Sequence, residues 1–154
     1  MTGGAGSPRW RRWRSLEAAA IAGVLHSVLS VVATFLLLDT VDPDDGDAAV
    51  AEYLADGANQ SRAILALNLL ALSSIAFLWF VAVIRRRVGE RESRFFGTVF
   101  FGSGLLVTVT WITAGVLYAA PTLAARSSGT AITSESVAVL QSAGQAMASV
   151  IGSR

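Results

Sequence analysis

The 154 residues carry 12 basic and 11 acidic side chains, a formal net charge of +1, and 53% hydrophobic against 15% charged residues. With a mean hydropathy of +0.57, that balance is too apolar for a water-soluble domain and lacks the basic excess of a nucleic-acid binder. The absence of cysteine excludes disulfides, thiolate metal sites and thiol catalysis.

Residues 1–15 form a basic tail with Arg9, Arg11, Arg12 and Arg14. Leu16 to Leu38 is then the first of three long apolar runs, followed by Ala63 to Ile84 and Phe95 to Tyr118. At 1.5 Å per residue, each is long enough to cross roughly 30 Å of hydrocarbon as a helix. A secretory leader has a shorter apolar run, about 7–15 residues, and a small-residue cleavage site, so the first run reads as an uncleaved span.

The loop at residues 39–62 is acidic, with Asp39, Asp42, Asp44, Asp45, Asp47, Glu52 and Asp56. A turn over Pro43 to Gly46 and a short helix are expected there. Asp47 is its expected N-cap, Val50 and Leu54 its apolar stripe, and Gly57 its stop. A calcium loop counted from Asp42 fails, because Asp47 stands where its glycine belongs and Tyr53 where its bidentate glutamate belongs.

Between the second and third runs, the stretch RRRVGERESR supplies Arg85, Arg86, Arg87, Arg91 and Arg94. Nine of the twelve arginines thus fall on one side if all three runs span. Arginine-rich short loops stay inside, which predicts a plasma-membrane protein with a cytoplasmic N-terminus and an outward acidic loop. The same arginines could bind anionic lipid headgroups, although their role as topology anchors already explains them. Trp10, Trp13, Trp79, Phe80, Phe95 and Phe96 fall at the inner interface and Tyr118 at the outer one.

After Tyr118, Pro121 and the stretch RSSGTAITS are expected to form an outer loop. Residues 134–152 are expected to form a fourth span, with Gln141, Ser142, Gln145 and Ser149 turned into the bundle, since an interfacial helix would carry basic residues on its polar face. The expectation is an all-α integral membrane antiparallel helix bundle: a transmembrane domain over 16–152, with spans at 16–38, 63–84, 95–118 and 134–152.

His26, the one histidine, lies about 15 Å from the inner end of the first span, level with Ser73, Ser74 and Ser103. Intramembrane ionisable groups are functional candidates by default. Proton relays and metal sites need several partners, however, and a neutral imidazole bonded to a serine hydroxyl is the reading favoured here. Asn68 falls at the depth of Ser30 and Thr108, which would give it partners across the bundle. These seven residues are the expected polar interior. Small residues put Gly23, His26, Ser27, Ser30 and Thr34 on one packing face and Gly97, Gly104, Thr108, Trp111 and Gly115 on another. Gly102-Ser103-Gly104 is a poor fit to an intramembrane serine protease. Phe101 replaces the first glycine of its motif, and the histidine precedes the serine in the chain.

The passage FLWFVAVIRRRVGERESRFFGTVFFGSGLL, with its leading Ala76, resembles a group of multi-spanning membrane proteins of actinobacteria without assigned activity. The resemblance is good over about residues 50–118 and implies an integral membrane protein with no catalytic residues to carry over. The functional expectation is a non-enzymatic membrane component that needs no cofactor or metal. It would act on a membrane-protein partner or as a homo-oligomer through helix contacts; the alternative is a subunit of a small permease or channel.

Overall fold

A computed structural model describes residues 10–88, 94–128 and 132–152, and the side chains within 17–85, 95–127 and 132–150. Among the described residues there is no strand. Helix α1 spans Trp10–Leu38, α2 Asp47–Ala55, α3 Gly57–Val88, α4 Arg94–Ser128 and α5 Ser134–Gly152. A helix suits an apolar run in hydrocarbon, because its backbone N–H groups bond carbonyls of the same segment and need no water. Three of the helices, α1, α3 and α4, are long and apolar enough to cross a membrane, which fits an integral membrane protein.

These helices pack in a row: α1 along α3, α3 along α4, and α4 along α5. Helices α1 and α4 meet only sparsely. Helix α3 is therefore the central one, with 28% of its apolar window buried against 11% for α1 and 17% for α4. Ala19, Ala22 and Ala33 of α1 and Ala66, Leu70 and Ser73 of α3 are buried; Ser73 meets His26 and Ser30 across the α1–α3 seam, and Leu70 also lies against Gly115 of α4. Alanine at these positions lets the backbones approach closely. Of the expected face, Gly23 lies against Phe80, and His26 and Ser30 bond to Ser73 of α3, whereas Ser27 is exposed and returns its hydroxyl to the carbonyl of Gly23.

The acidic loop is more helical than its sequence suggests. Asp42 accepts a hydrogen bond from the Asp44 amide and caps a short 3₁₀ turn over Pro43–Asp45. Gly46, at φ 87°, then turns the chain into α2, a conformation that glycine adopts without steric cost. Gly46, not Asp47, occupies the N-cap of α2. Nor does Gly57 end α2. Asp56 does so, and its carboxylate accepts from the Ala58 amide to start α3 immediately. The last carbonyls of α2 are taken by side chains of α3: Asn59 donates to Tyr53 O and Gln60 to Leu54 O. The Arg62–Asp39 ion pair and the Tyr53 hydroxyl, donating to Asp39 O, tie this junction to the end of α1.

Helix α4 runs straight through Pro121 to Ser128, where a loop was expected. Its extension brings Ala125 to a small outer core of Val50, Leu54 and Val137, flanked by Val41, Tyr53 and Ile132. Burial of this apolar cluster gives the α4 extension a partner that local propensity does not reveal. The segment 129–131 of the expected loop lies outside the described residues.

Helix α5 starts in that outer layer. Gln141 donates to Val41 O at 3.3 Å, just past the end of α1. It is not among the helices apolar enough to span. Its packing face is Val137 and Gly144, both buried, while Ser142, Gln145 and Ser149 are exposed. Of the polar face expected to turn inward, Gln141 alone makes a hydrogen bond to another helix end among the described residues. Gly144 settles against Tyr118 and Ala114, where a side chain would collide.

Candidate functional site

Where α1 crosses α3, three of the seven expected interior residues join in one network. His26 Nδ1 lies 2.8 Å from Ser73 Oγ and 3.1 Å from the Ser73 carbonyl. Ser30 Oγ is 2.6 Å from Ser73 Oγ and 3.4 Å from His26 Nδ1. The Ser73 hydroxyl donates to the carbonyl of His26 at 3.1 Å. A carbonyl can only accept, so in the neutral ring the proton belongs on Nδ1 and the lone pair on Nε2. Ser30 then donates to Ser73, Ser73 to His26 O, and His26 to Ser73 O, which leaves every hydroxyl proton placed.

Ser74 and Thr108 are buried nearby, each donating to a carbonyl of its own helix, Leu70 O and Gly104 O at 2.8 Å. With His26, Ser30, Phe77 and Trp111 they line an inner pocket of about 220 Å³. An outer pocket of about 230 Å³ adjoins it through Trp111, between Thr34 and Leu37 of α1, Gly115 and Tyr118 of α4, and Gln145 and Ala148 of α5. Together they make a groove along the side on which α1 and α4 fail to close.

The groove is blind at its inner end. Phe80 lies against Gly23, where a Cβ would meet its ring at 3.4 Å. Val81 and Phe77 lie against Gly104, where a Cβ would meet Val81 at 3.3 Å. The His26 and Phe77 rings stack obliquely, with centroids 4.8 Å apart.

Two expected interior residues are elsewhere. Asn68 is exposed and donates to Ile64 O of its own helix at 2.8 Å, so it needs no partner across the bundle. Ser103 is exposed, and His26 bonds to Ser73 instead. The protease-like tripeptide therefore has no base beside it. Arg85, expected at lipid headgroups, lies over the Phe101 ring at 5.3 Å; the side chains of Arg86, Arg87, Arg91 and Arg94 lie outside the described residues. The residue that sequence reading undervalued is Trp111. It was placed as a packing residue and instead forms the wall common to both pockets.

No known protein family, curated protein or solved structure matches the chain. The resemblance carried by residues 76–106 thus stands on that passage alone.

Proposed function

We propose that the chain is a non-enzymatic component of the plasma membrane, with its N-terminus cytoplasmic, that works by receiving a helix of a partner membrane protein. The observation that carries this reading is the groove left where α1 and α4 share α3 but scarcely touch each other. Helices in lipid associate by close packing and scattered hydrogen bonds, and Thr34 and Gln145 offer such bonds on opposite banks of an otherwise apolar trough. The same proposal places the chain with the actinobacterial proteins it resembles over residues 76–106.

A nucleophilic role for Ser73 finds little support, because Ser73 is 1% exposed and its hydroxyl is held by three groups. A conducting path also finds little support, since Phe77, Phe80 and Val81 fill the interior on the inner side of His26.

The test is a photo-crosslinking residue at Thr34, compared with one at Phe35, which is 71% exposed on the outer face of α1. In native membranes, position 34 should capture a membrane polypeptide, while position 35 captures lipid. A product of twice the chain's mass would identify the partner as a second copy. Lipid adducts alone at both positions would remove the proposal.

A further inference from the structure

The inner pocket goes beyond the partner reading and does not depend on it. We propose that it is a binding site for a membrane-soluble hydroxyaromatic compound, a phenol or quinol ring whose O–H donates to His26 Nε2.

Four observations converge on this chemistry. First, Nδ1 lies 3.1 Å from the Ser73 carbonyl, which can only accept; in the neutral ring this places the proton on Nδ1 and leaves Nε2 as the acceptor. Second, Nε2 has no hydrogen-bond partner among the described residues, yet no buried side-chain nitrogen or oxygen there lacks one. The atom is therefore accessible, on a ring that lines the pocket. In hydrocarbon an accessible lone pair has no water to satisfy it, so a hydrogen-bond donor dissolved in the membrane gains more there than in solution.

Third, the size fits. A cavity of about 150 Å³ suffices for a benzene ring, and the pocket offers about 220 Å³. Fourth, the walls suit a flat ring: Phe77 and Trp111 supply aromatic faces and Val107 an apolar side. The other polar groups are already engaged, Ser74 and Thr108 with their own helices and Ser30 with Ser73. One free acceptor in an aromatic pocket selects for a single donor on a ring.

The experiment titrates the full chain in detergent with 4-fluorophenol and with 4-fluoroanisole, its methyl ether, reading the fluorine resonance and subtracting partition into empty micelles. The wild type should bind the phenol saturably and at least about fivefold more tightly than the ether, the worth of one net hydrogen bond. His26→Phe, which keeps a ring but loses the lone pair, should abolish that preference. Should this variant fail to fold, Val107→Trp fills the same pocket from α4 and should abolish saturable binding of both probes. Equal affinity for phenol and ether in the wild type, a preference for the ether, partition without saturation, or binding unmoved by Val107→Trp would each overturn the proposal.

Discussion

The Ser30 and Ser73 hydroxyl oxygens lie 2.6 Å apart across the α1–α3 seam, and the Ser73 hydroxyl also donates to the His26 carbonyl. Ser73 is thus the hub of the network and Ser30 a spoke. Hydrogen bonds between membrane helices average about 0.6 kcal/mol. Ser30→Ala should therefore cost about that much, and Ser73→Ala about 1–2 kcal/mol, because it removes both the acceptor of Ser30 and the donor to the His26 carbonyl. Unfolding in graded denaturing detergent checks the order; equal losses would mean that the hydroxyls act independently.

Gly144 and Gly102 form a matched pair for testing whether α5 is seated on α4. A Cβ at Gly144 would come within 2.8 Å of the Tyr118 ring and 3.2 Å of the Ala114 carbonyl, whereas one at Gly102 would meet nothing within 4 Å. Gly144→Ala should destabilise by about 1–3 kcal/mol, as overpacking does. Gly102→Ala should be neutral or stabilise by up to about 1 kcal/mol through helix propensity. Proteolysis of α5 is a convenient second readout, faster in Gly144→Ala and unchanged in Gly102→Ala.

Asp47 makes the outer layer sensitive to acid. The Ser134 backbone N–H, with a further contribution from the Ser134 side chain, holds its carboxyl below the ordinary range. A depressed folded-state pKa contributes stability above the unfolded value of about 3.9, and that stability is lost as pH falls through the folded value. Protection of the amides at residues 134–137, taken relative to their intrinsic exchange at each pH, should therefore fall below about pH 4, and Asp47→Asn should flatten that dependence. Protection that is constant with pH in the wild type would detach the carboxylate from the start of α5.

The orientation can be tested without background, since the chain has no cysteine. Asp45→Cys should react with a membrane-impermeant thiol reagent in intact cells, and Ser7→Cys and Gly89→Cys only after lysis. The reverse pattern would invert the topology drawn from the nine arginines.

The three long apolar helices were legible because an apolar run of that length has few alternatives. His26 and Ser73 were legible because helical rise fixes depth. Rise fixes nothing about direction around the axis, and that is where the site reading failed. Ser103 shares the expected depth but sits about 100° around α4 from buried Gly104, facing out. Asn68 was misplaced because a side-chain amide can satisfy itself on the preceding turn. Helix ends were hidden for a third reason. Asp56, Asn59 and Gln60 cap across an interhelical junction, and Pro121 is carried inside α4 by an outer core whose members are far apart in sequence.

That outer core also imposes an order on the chain's synthesis. The Asp47 carboxylate and the Ser134 amide are separated by 87 residues, with two spans lying between them. When α2 is first made, neither the amide that engages Asp47 nor the valine that covers Val50 and Leu54 exists yet. The apolar stripe of α2 stays bare until α3 and α4 are inserted and α5 has emerged. The loop that leaves the ribosome early is finished by a segment that leaves it late, so a chain stalled after α4 and before Val137 holds its three long apolar helices complete and the stripe of α2 still uncovered.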